Sequence, residues 1–319
     1  MKKLLKIIGV LILVFVLILV GAITYVTQAL PNIAAPDLKV EVTPERVERG
    51  EYLANHVCLC MDCHSTRDWS LYTGPPVPGT LGVGGEVFDQ SFGFPGKFVS
   101  RNITPHGLKD WTDGEIYRTI TSGVGKDGRP FFPVMPYKSY GRMSDADIHS
   151  IIAYLRSIPA VASDPGASKA DFPMNIIMHT IPGVPVKLEN ASYGEYMTTA
   201  SGCRVCHTRE EKGEEVGEPF AGGWGFPVPG AGVVTSANIT PHETGIGGWS
   251  REKFIRTFKQ YADSAYVSPK VDYATKEMQT MMPWTMYAGM KEEDLGAIYD
   301  FLRTVKPVDN AVVKWMPAN

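Results

Sequence analysis

A five-residue motif, C-x-x-C-H, occurs twice in this chain of 319 residues and constrains its fold more than any other feature. The copies are "CMDCH" at 60–64 and "CRVCH" at 203–207, and together they use four of the five cysteines. Two thiols one helical turn apart can form thioethers to one porphyrin, and the adjacent histidine then binds its iron. The motif therefore predicts two covalently bound haem c groups. The predicted attachment residues are Cys60, Cys63, Cys203 and Cys206, and the predicted iron ligands are His64 and His207.

Other uses of paired cysteines fit the pattern less well. The two pairs of a four-cysteine zinc site normally lie roughly 15–20 residues apart, whereas Cys63 and Cys206 are separated by 206 − 63 = 143 positions. A thioredoxin-like redox centre needs a βαβ pattern around its motif, which is missing. A disulfide within each pair stays open for an exported protein, but it leaves the repeated histidine unexplained.

Each motif lies within a longer internal duplication. The segment "RGEYLANHVCLCMDCH" matches "YGEYMTTASGCRVCH", and "MPYKSYGRMSDADIHSIIAYLRSIPAV" matches "MPWTMYAGMKEEDLGAIYDFLRTVKPV". A third matched pair lies between these two: the "NITPH" segments, each of which is followed by a tryptophan. Each copy covers about 120 residues, near the usual size of a domain, so the repeat predicts two tandem domains.

Methionine is the common second axial ligand of electron-carrying haem c, and the repeat contains two matched pairs. Met135 matches Met282, and Met143 matches Met290, both at an offset of 147. Met143 directly precedes Ser144, a good helix N-cap, so packing on the helix explains it without iron. Met135 and Met282 lie in stiff proline-bounded loops. We therefore predict Met135 and Met282 as iron ligands, although Met281 is adjacent to the second.

The fold class predicted from these segments is all-α: two tandem cytochrome c (class I-like) domains after an N-terminal transmembrane helix. One helix is predicted to begin after Thr43 as its N-cap, with Pro44 as its first residue. Each unit is predicted to close with an amphipathic helix, at 144–157 and at 291–304. Matching glycines, Gly50 and Gly194, predict close helix crossings.

The predicted organisation has five segments. They are a membrane anchor at 1–30, a linker at 31–43, a first cytochrome c unit at 44–160, an interdomain linker at 161–188 and a second cytochrome c unit at 189–319. The linker residues 172–186 are predicted to pack between the two units. The carbonyls of Pro76 and Pro219, each twelve residues after its histidine, are the predicted partners of the second ring nitrogens.

The first thirty residues predict a membrane location. Ile7 to Val26 is nearly all apolar and, as a helix, spans the hydrocarbon core of a bilayer. Lys2, Lys3 and Lys6 precede this stretch, and "TQALPNIAAPDLKVEV" after it holds one lysine, so the N-terminus is predicted to be cytoplasmic and the remaining chain periplasmic. A cleaved signal peptide ending at Ala29 is the alternative.

Several segments resemble the cytochrome c subunits of membrane-bound bacterial alcohol and gluconate dehydrogenases. They are "NITP…W", "MPY…SDADI…AYLRS" and "NITPHETGIGGWS", and the similarity runs from Pro44 to Val308. In that family such units pass electrons from a dehydrogenase to quinone or another acceptor. The resemblance implies haem c with histidine and methionine ligation, at His64 with Met135 and at His207 with Met282.

This chain departs from the family pattern, which typically has three haem units and a C-terminal membrane attachment. Its second unit is also longer between Trp249 and Met282 than the first is between the matching residues, 33 positions against 24. The net charge of −3 does not indicate a nucleic-acid partner.

The sequence thus predicts a dihaem cytochrome c on the outer face of the bacterial inner membrane, moving single electrons in a respiratory chain. It is predicted to be a carrier rather than an enzyme, with redox proteins as partners: a dehydrogenase, a quinol-oxidising complex or a terminal oxidase. A dihaem peroxidase or a thiosulfate-oxidising cytochrome is the enzymatic alternative. A subunit whose helix and linker chiefly dock partners in a respiratory assembly is the structural alternative.

Cys58 is the fifth cysteine, and the second unit has no counterpart because the matching position lies near Ser201. We interpret it as a free buried thiol. An intermolecular disulfide, or haem attachment through Cys58 and Cys63, is the alternative.

Overall fold

The helices of the computed structural model, which describes residues 1–318, follow the sequence repeat. After the N-terminal helix α1 (Lys2–Ala29), the first unit contains α2 (Pro44–Tyr52), α3 (Cys60–Cys63), α4 (Asp113–Ser122), α5 (Tyr137–Tyr140) and α6 (Asp145–Ser157). A single short helix, α7 (Met174–Ile177), lies in the linker. The second unit repeats the order with α8 (Tyr193–Ala200), α9 (Cys203–His207), α10 (Arg251–Lys259), α11 (Trp284–Tyr287) and α12 (Glu292–Leu302).

Helix α1 has the length and composition of a membrane span. Its mean hydropathy reaches 3.2, and none of its residues is buried. The predicted apolar N-terminal helix is therefore confirmed as an element. Its length and composition fit both an anchor and a signal sequence.

Side-chain caps fix where the packed helices begin. Thr43 accepts a hydrogen bond from the backbone N–H of Arg46 at the start of α2, with Pro44 as the first helical residue. Ser144 caps α6 in the same way through the N–H of Asp147. These starts agree with the sequence prediction, because a short hydroxyl side chain satisfies a backbone donor that the helix leaves free.

The first and last helices of each unit cross at a glycine. A Cβ atom built on Gly50 would lie 1.9 Å from the carbonyl oxygen of Ser150 in α6. One built on Gly194 would lie 2.1 Å from the carbonyl oxygen of Ala297 in α12. Both distances are far below van der Waals contact, so the two predicted close crossings are confirmed and only glycine fits them as they stand.

The prediction of an all-α fold needs a correction, because short antiparallel sheets are present. In the first unit β1 (Val87–Phe88) pairs with β2 (Gly96–Val99), which pairs with β3 (Lys169–Ala170). In the second, β6 (Gly225–Val228) pairs with β7 (Gly232–Thr235), which pairs with β8 (Trp315–Pro317). A smaller hairpin joins β4 (Glu210–Glu211) to β5 (Glu214–Glu215). The glycine- and proline-rich segments cannot form helices. Their backbone N–H and C=O groups instead form hydrogen bonds between these strands.

In both three-stranded sheets, the third strand comes from the part of the chain that follows the closing helix of the unit. Residues 161–170, assigned to the linker by the sequence, lie against the first unit in this way. The side-chain amide of Asn102 donates to the carbonyl of Val161 at 2.8 Å, and the backbone N–H of Val99 donates to Ser168 at 2.9 Å.

The two units are not separate in their packing. One continuous cluster of buried apolar side chains includes Leu53 and Ile152 of the first unit and Met197 and Leu295 of the second. The two units therefore share one core, because helices of the two copies contact each other directly.

The predicted packing of residues 172–186 between the units is wrong. Phe172, Val184 and Val186 are each about three-quarters or more exposed to solvent. The interface is already filled by the helices that share the common core, so the apolar linker runs over the surface.

Candidate haem centres

A cavity of about 280 Å³ in the first unit brings together three of the predicted site residues. Cys60, His64 and Met135 all line it. The apolar side chains around them come mainly from α4, from α6 and from the loop before α4: Leu108, Trp111, Ile116, Ile120, Ile151 and Leu155. A thiol, an imidazole and a thioether therefore meet in an apolar chamber, which is the donor set of a covalently bound haem c with two axial ligands.

The cysteine motifs adopt the same local geometry in both units. Each lies on a short helix, α3 or α9, that is entered through a residue of left-handed conformation. That residue is Leu59 (φ of 55°) in the first unit and Gly202 (φ of 67°) in the second. Burial raises the pKa of Cys60 and Cys63 to about 12, so their sulfur atoms are held as neutral groups. A thioether, which carries no charge, suits this environment.

Each predicted iron-ligating histidine is oriented by a backbone carbonyl. The Nδ1 atom of His64 lies 2.7 Å from the carbonyl oxygen of Arg101, and Nδ1 of His207 lies 2.7 Å from that of Ala237. Burial lowers the pKa of both imidazoles. A neutral ring that donates from Nδ1 keeps the lone pair of Nε2 free for a metal ion.

The carbonyls of Pro76 and Pro219 do not make these contacts, so that expectation is wrong. The residues that do, Arg101 and Ala237, each come immediately before a repeated "NIT" segment. This repeated segment is the sequence signal that could have identified them.

The "NIT" segments hold the two carbonyls in place. The side chain of Asn102 accepts from the backbone N–H and the hydroxyl of Thr104, at 2.9 and 2.7 Å. Asn238 accepts from Thr240 in the same way, at 2.9 and 2.8 Å. Both asparagines also donate to the chain that follows the closing helix of their unit. The turn that carries each carbonyl is thereby tied to the end of its unit and cannot rotate freely.

The methionine pairs are placed in different surroundings. Met135 lines the cavity, whereas Met143 is fully buried elsewhere, with its sulfur 3.6 Å from the sulfur of Cys58. In the second unit Met282 packs against the common core, whereas Met281 packs against the side chains of the β6–β8 sheet. These positions favour Met135 over Met143 and Met282 over Met281 as ligands.

A residue of the first unit contacts the backbone of Met282. The hydroxyl of Thr73, which is buried, donates to the Met282 carbonyl at 2.7 Å. The backbone N–H of Thr73 donates to the side chain of the buried Gln279 at 2.8 Å. Gln279 in turn donates to the carbonyls of Trp69 and Leu71.

The sequence did not predict this contact, although it showed that the second unit is longer before Met282 than the first is before Met135. The longer segment before Met282 accounts for it, because it contains Gln279, which hydrogen-bonds to the loop at 69–74 of the other unit.

Cys58 lies away from the cavity. Its side chain is buried, and burial raises the pKa of its thiol well above the usual value. Its carbonyl accepts a hydrogen bond from the hydroxyl of Tyr140, and the matched Tyr287 donates to the carbonyl of Ser201. This correspondence supports the alignment of Cys58 with Ser201 and its interpretation as a free thiol.

The alternatives to haem find no support in the geometry. Within residues 1–318, no group of three or more cysteine, histidine or acidic side chains is arranged to hold a metal ion, so the two cysteine pairs do not form one zinc site. No disulfide joins the cysteines of either motif in the described residues.

The residues of the first cavity fit a covalently attached haem. Cys60 and Cys63 would hold the porphyrin, and His64 and Met135 would bind the iron. Bound there, the group supplies a one-electron couple between ferric and ferrous iron. The chain orients the imidazole and supplies the methionine sulfur, and both lie in a cavity lined largely by apolar side chains.

The paired motifs and the geometry around them resemble those of c-type cytochromes. Comparison with known sequences agrees: residues 191–306 match the cytochrome c family. The chain is similar to the cytochrome c subunit of the quinone-dependent alcohol dehydrogenase of Gluconobacter oxydans, with 27% identity over 67% of this chain and 46% of the relative.

Two further relatives extend the comparison. The gluconate 2-dehydrogenase cytochrome c subunit of Pantoea cypripedii is 27% identical over 67% of this chain and 51% of its own length. A dihaem cytochrome c-type protein of Cereibacter sphaeroides is 27% identical over 78% of this chain and 83% of its own length. The chain spans about half the length of the dehydrogenase subunits that it matches. The resemblance to cytochrome c subunits of such dehydrogenases, expected from the sequence motifs, is confirmed.

Proposed function

We propose that the protein is a membrane-anchored dihaem cytochrome c that transfers single electrons outside the cytoplasmic membrane. The observation that carries the proposal is the meeting of Cys60, His64 and Met135 in one apolar cavity. The second unit repeats the motif, the histidine–carbonyl contact and the methionine loop, which supports a second haem at Cys203, Cys206, His207 and Met282.

The axial ligands argue for a carrier. His64 with Met135, and His207 with Met282, would fill both axial positions of each iron, leaving no coordination position for a substrate. An electron then moves between centres without bond formation on the protein. A dihaem peroxidase needs an open or differently ligated iron, so it is the second candidate only if one of these methionines does not bind.

The relatives support a place in a dehydrogenase complex. The names of two of them describe cytochrome c subunits of alcohol and gluconate dehydrogenases. We infer that this chain takes electrons from a dehydrogenase partner and passes them to a respiratory acceptor. Helix α1 would hold it at the inner membrane, with the lysines at its start on the cytoplasmic side and both units in the periplasm.

Absorption spectroscopy of ligand variants tests the haem assignment. The holoprotein should contain two haems by mass and show a sulfur-to-iron charge-transfer band. Met135→Leu and Met282→Leu should each remove about half of this band, whereas Met281→Leu, at the neighbouring position, should leave it intact. Peroxide turnover by the wild-type protein would contradict the carrier assignment, whereas a full band in Met282→Leu would show that Met282 is not the ligand. Purification from membranes in mild detergent identifies the partner.

A further inference from the structure

An apolar segment that contacts α1 and β3 also exposes several large side chains on the surface of the protein. Residues 172–186, "FPMNIIMHTIPGVPV", contain no charged side chain between Asp171 and Lys187. Phe172 is 79% exposed, Ile177 46%, Val184 76% and Val186 75%. Exposed apolar side chains grouped in one segment in this way are typical of a contact with a membrane or another protein.

The segment lies at the C-terminal end of helix α1. The Nδ1 atom of His179 is 2.8 Å from the carbonyl oxygen of Leu30, the residue that follows the last helical position. Helix α7 and the turn after it, Met178–Thr180, both contact α1. The hydrogen bond places His179, in the middle of the segment, at the level of the end of the helix.

The position of the segment at the end of α1 indicates that its exposed side chains contact lipid rather than another protein. If α1 spans the bilayer, its C-terminal end lies where the hydrocarbon core gives way to lipid headgroups, since a span of about 20 residues already crosses the core. Apolar side chains at that level enter the boundary between headgroups and acyl chains, which is how surface-bound segments attach to membranes. The absence of charge from residues 172–186 suits this boundary, because no charged group has to be desolvated there.

We propose that residues 172–186 form a second membrane contact, which inserts its exposed apolar side chains into the outer leaflet next to α1. One helix alone would leave the haem-bearing units free to swing about the few residues between Leu30 and Ile33, whose carbonyl accepts a hydrogen bond from Arg118 of α4. Two attachment points fix which face of the protein is turned to the bilayer. The inference rests on the proposed anchoring by α1.

Fluorescent labels on the full-length holoprotein in phosphatidylcholine nanodiscs test this contact. Ile177→Cys and Val184→Cys would each carry an environment-sensitive label such as NBD. Val267→Cys, at a valine that is 80% exposed in the second unit, is the matched control. All three positions are at least partly open to solvent, and labelling of the wild type gives the background from Cys58.

We expect labels at positions 177 and 184 to emit at shorter wavelength than the control, and lipid-borne nitroxides to quench them several-fold more strongly. Equal emission and quenching at all three positions would refute the inference while leaving the anchor intact. A blue shift without lipid quenching would assign the segment to a protein contact and would also refute it. Failure of the protein to enter nanodiscs would refute the anchor and the inference together, whereas the haem spectrum tests the electron-carrier function separately.

Discussion

The hydroxyl of Tyr196 in the second unit donates a 2.6 Å hydrogen bond to the carboxylate of Asp147 in the first. The matched contact runs in the opposite direction. Tyr52, which corresponds to Tyr196 in the repeat, donates to Asp294, which corresponds to Asp147. Each unit therefore supplies a tyrosine from its first helix to the closing helix of the other, and the repeat in the sequence becomes an approximate two-fold relation at the interface.

Removing these hydroxyls should loosen the interface. Each hydrogen bond has a carboxylate acceptor, and such bonds contribute about 1.5–3 kcal/mol. Tyr52→Phe and Tyr196→Phe should each lower the free energy of unfolding by an amount in this range, measured by urea denaturation of the holoprotein in detergent. Tyr266→Phe is the control, since its hydroxyl has no hydrogen bond in the described part of the chain. Equal stability of the three variants would contradict the interface model.

The glycine crossings predict a second, larger effect on stability. Gly50→Ala and Gly194→Ala would each place a methyl group inside a backbone carbonyl of the crossing helix, so the helices must separate. Overpacking of this kind costs about 1–3 kcal/mol or more. Gly248→Ala, where the added methyl meets no atom within 4 Å, should change the unfolding free energy by less than about 0.5 kcal/mol. Thermal unfolding followed by circular dichroism compares the three, and a neutral Gly194→Ala would be inconsistent with the observed crossing.

The contact between Thr73 and Met282 predicts that the first unit controls the ligand loop of the second haem. Thr73→Val keeps the shape of the side chain but loses the hydroxyl that donates to the Met282 carbonyl. Loss of about 1 kcal/mol of hydrogen bonding would increase the population with Met282 unbound about fivefold. We expect a weaker sulfur-to-iron band and a shifted midpoint potential for the second haem only.

Thr73→Ser, which keeps the hydroxyl, should restore both properties. The experiment also separates two failures. A change in the first haem, or none in either, would show that Thr73 does not position Met282. A Met282→Leu variant with an unaltered spectrum would instead show that Met282 is not the ligand.

Short-range patterns in the sequence predicted much of the fold. Helix starts at Thr43 and Ser144, and the crossings at Gly50 and Gly194, depend on residues whose local chemistry permits few alternatives. The sheets were missed because β2 and β3 pair across about 70 residues, and strands this short leave no periodicity to detect. The histidine partners were missed because the orientation of a carbonyl depends on the turn that carries it, which spacing alone does not define.

The linker residues 172–186 show that composition alone can mislead a prediction. Its apolar composition was interpreted as a buried interface, but composition does not distinguish a surface buried by protein from one that faces lipid. The exposure of Phe172, Val184 and Val186 shows that protein does not bury them, and the position of His179 beside Leu30 at the end of α1 supports the proposed lipid contact.

The choice among the three cysteines of "CLCMDCH" gives the last prediction. Cys60 lines the cavity, whereas Cys58 is buried against Met143. Cys58→Ala should therefore retain two haems, each held by two thioethers, with a modest loss of stability from the small cavity that the sulfur leaves. Cys60→Ala should leave the first haem with a single thioether, through Cys63. Mass mapping of the haem peptides measures both, and loss of a thioether in Cys58→Ala but not in Cys60→Ala would show attachment through Cys58 and Cys63.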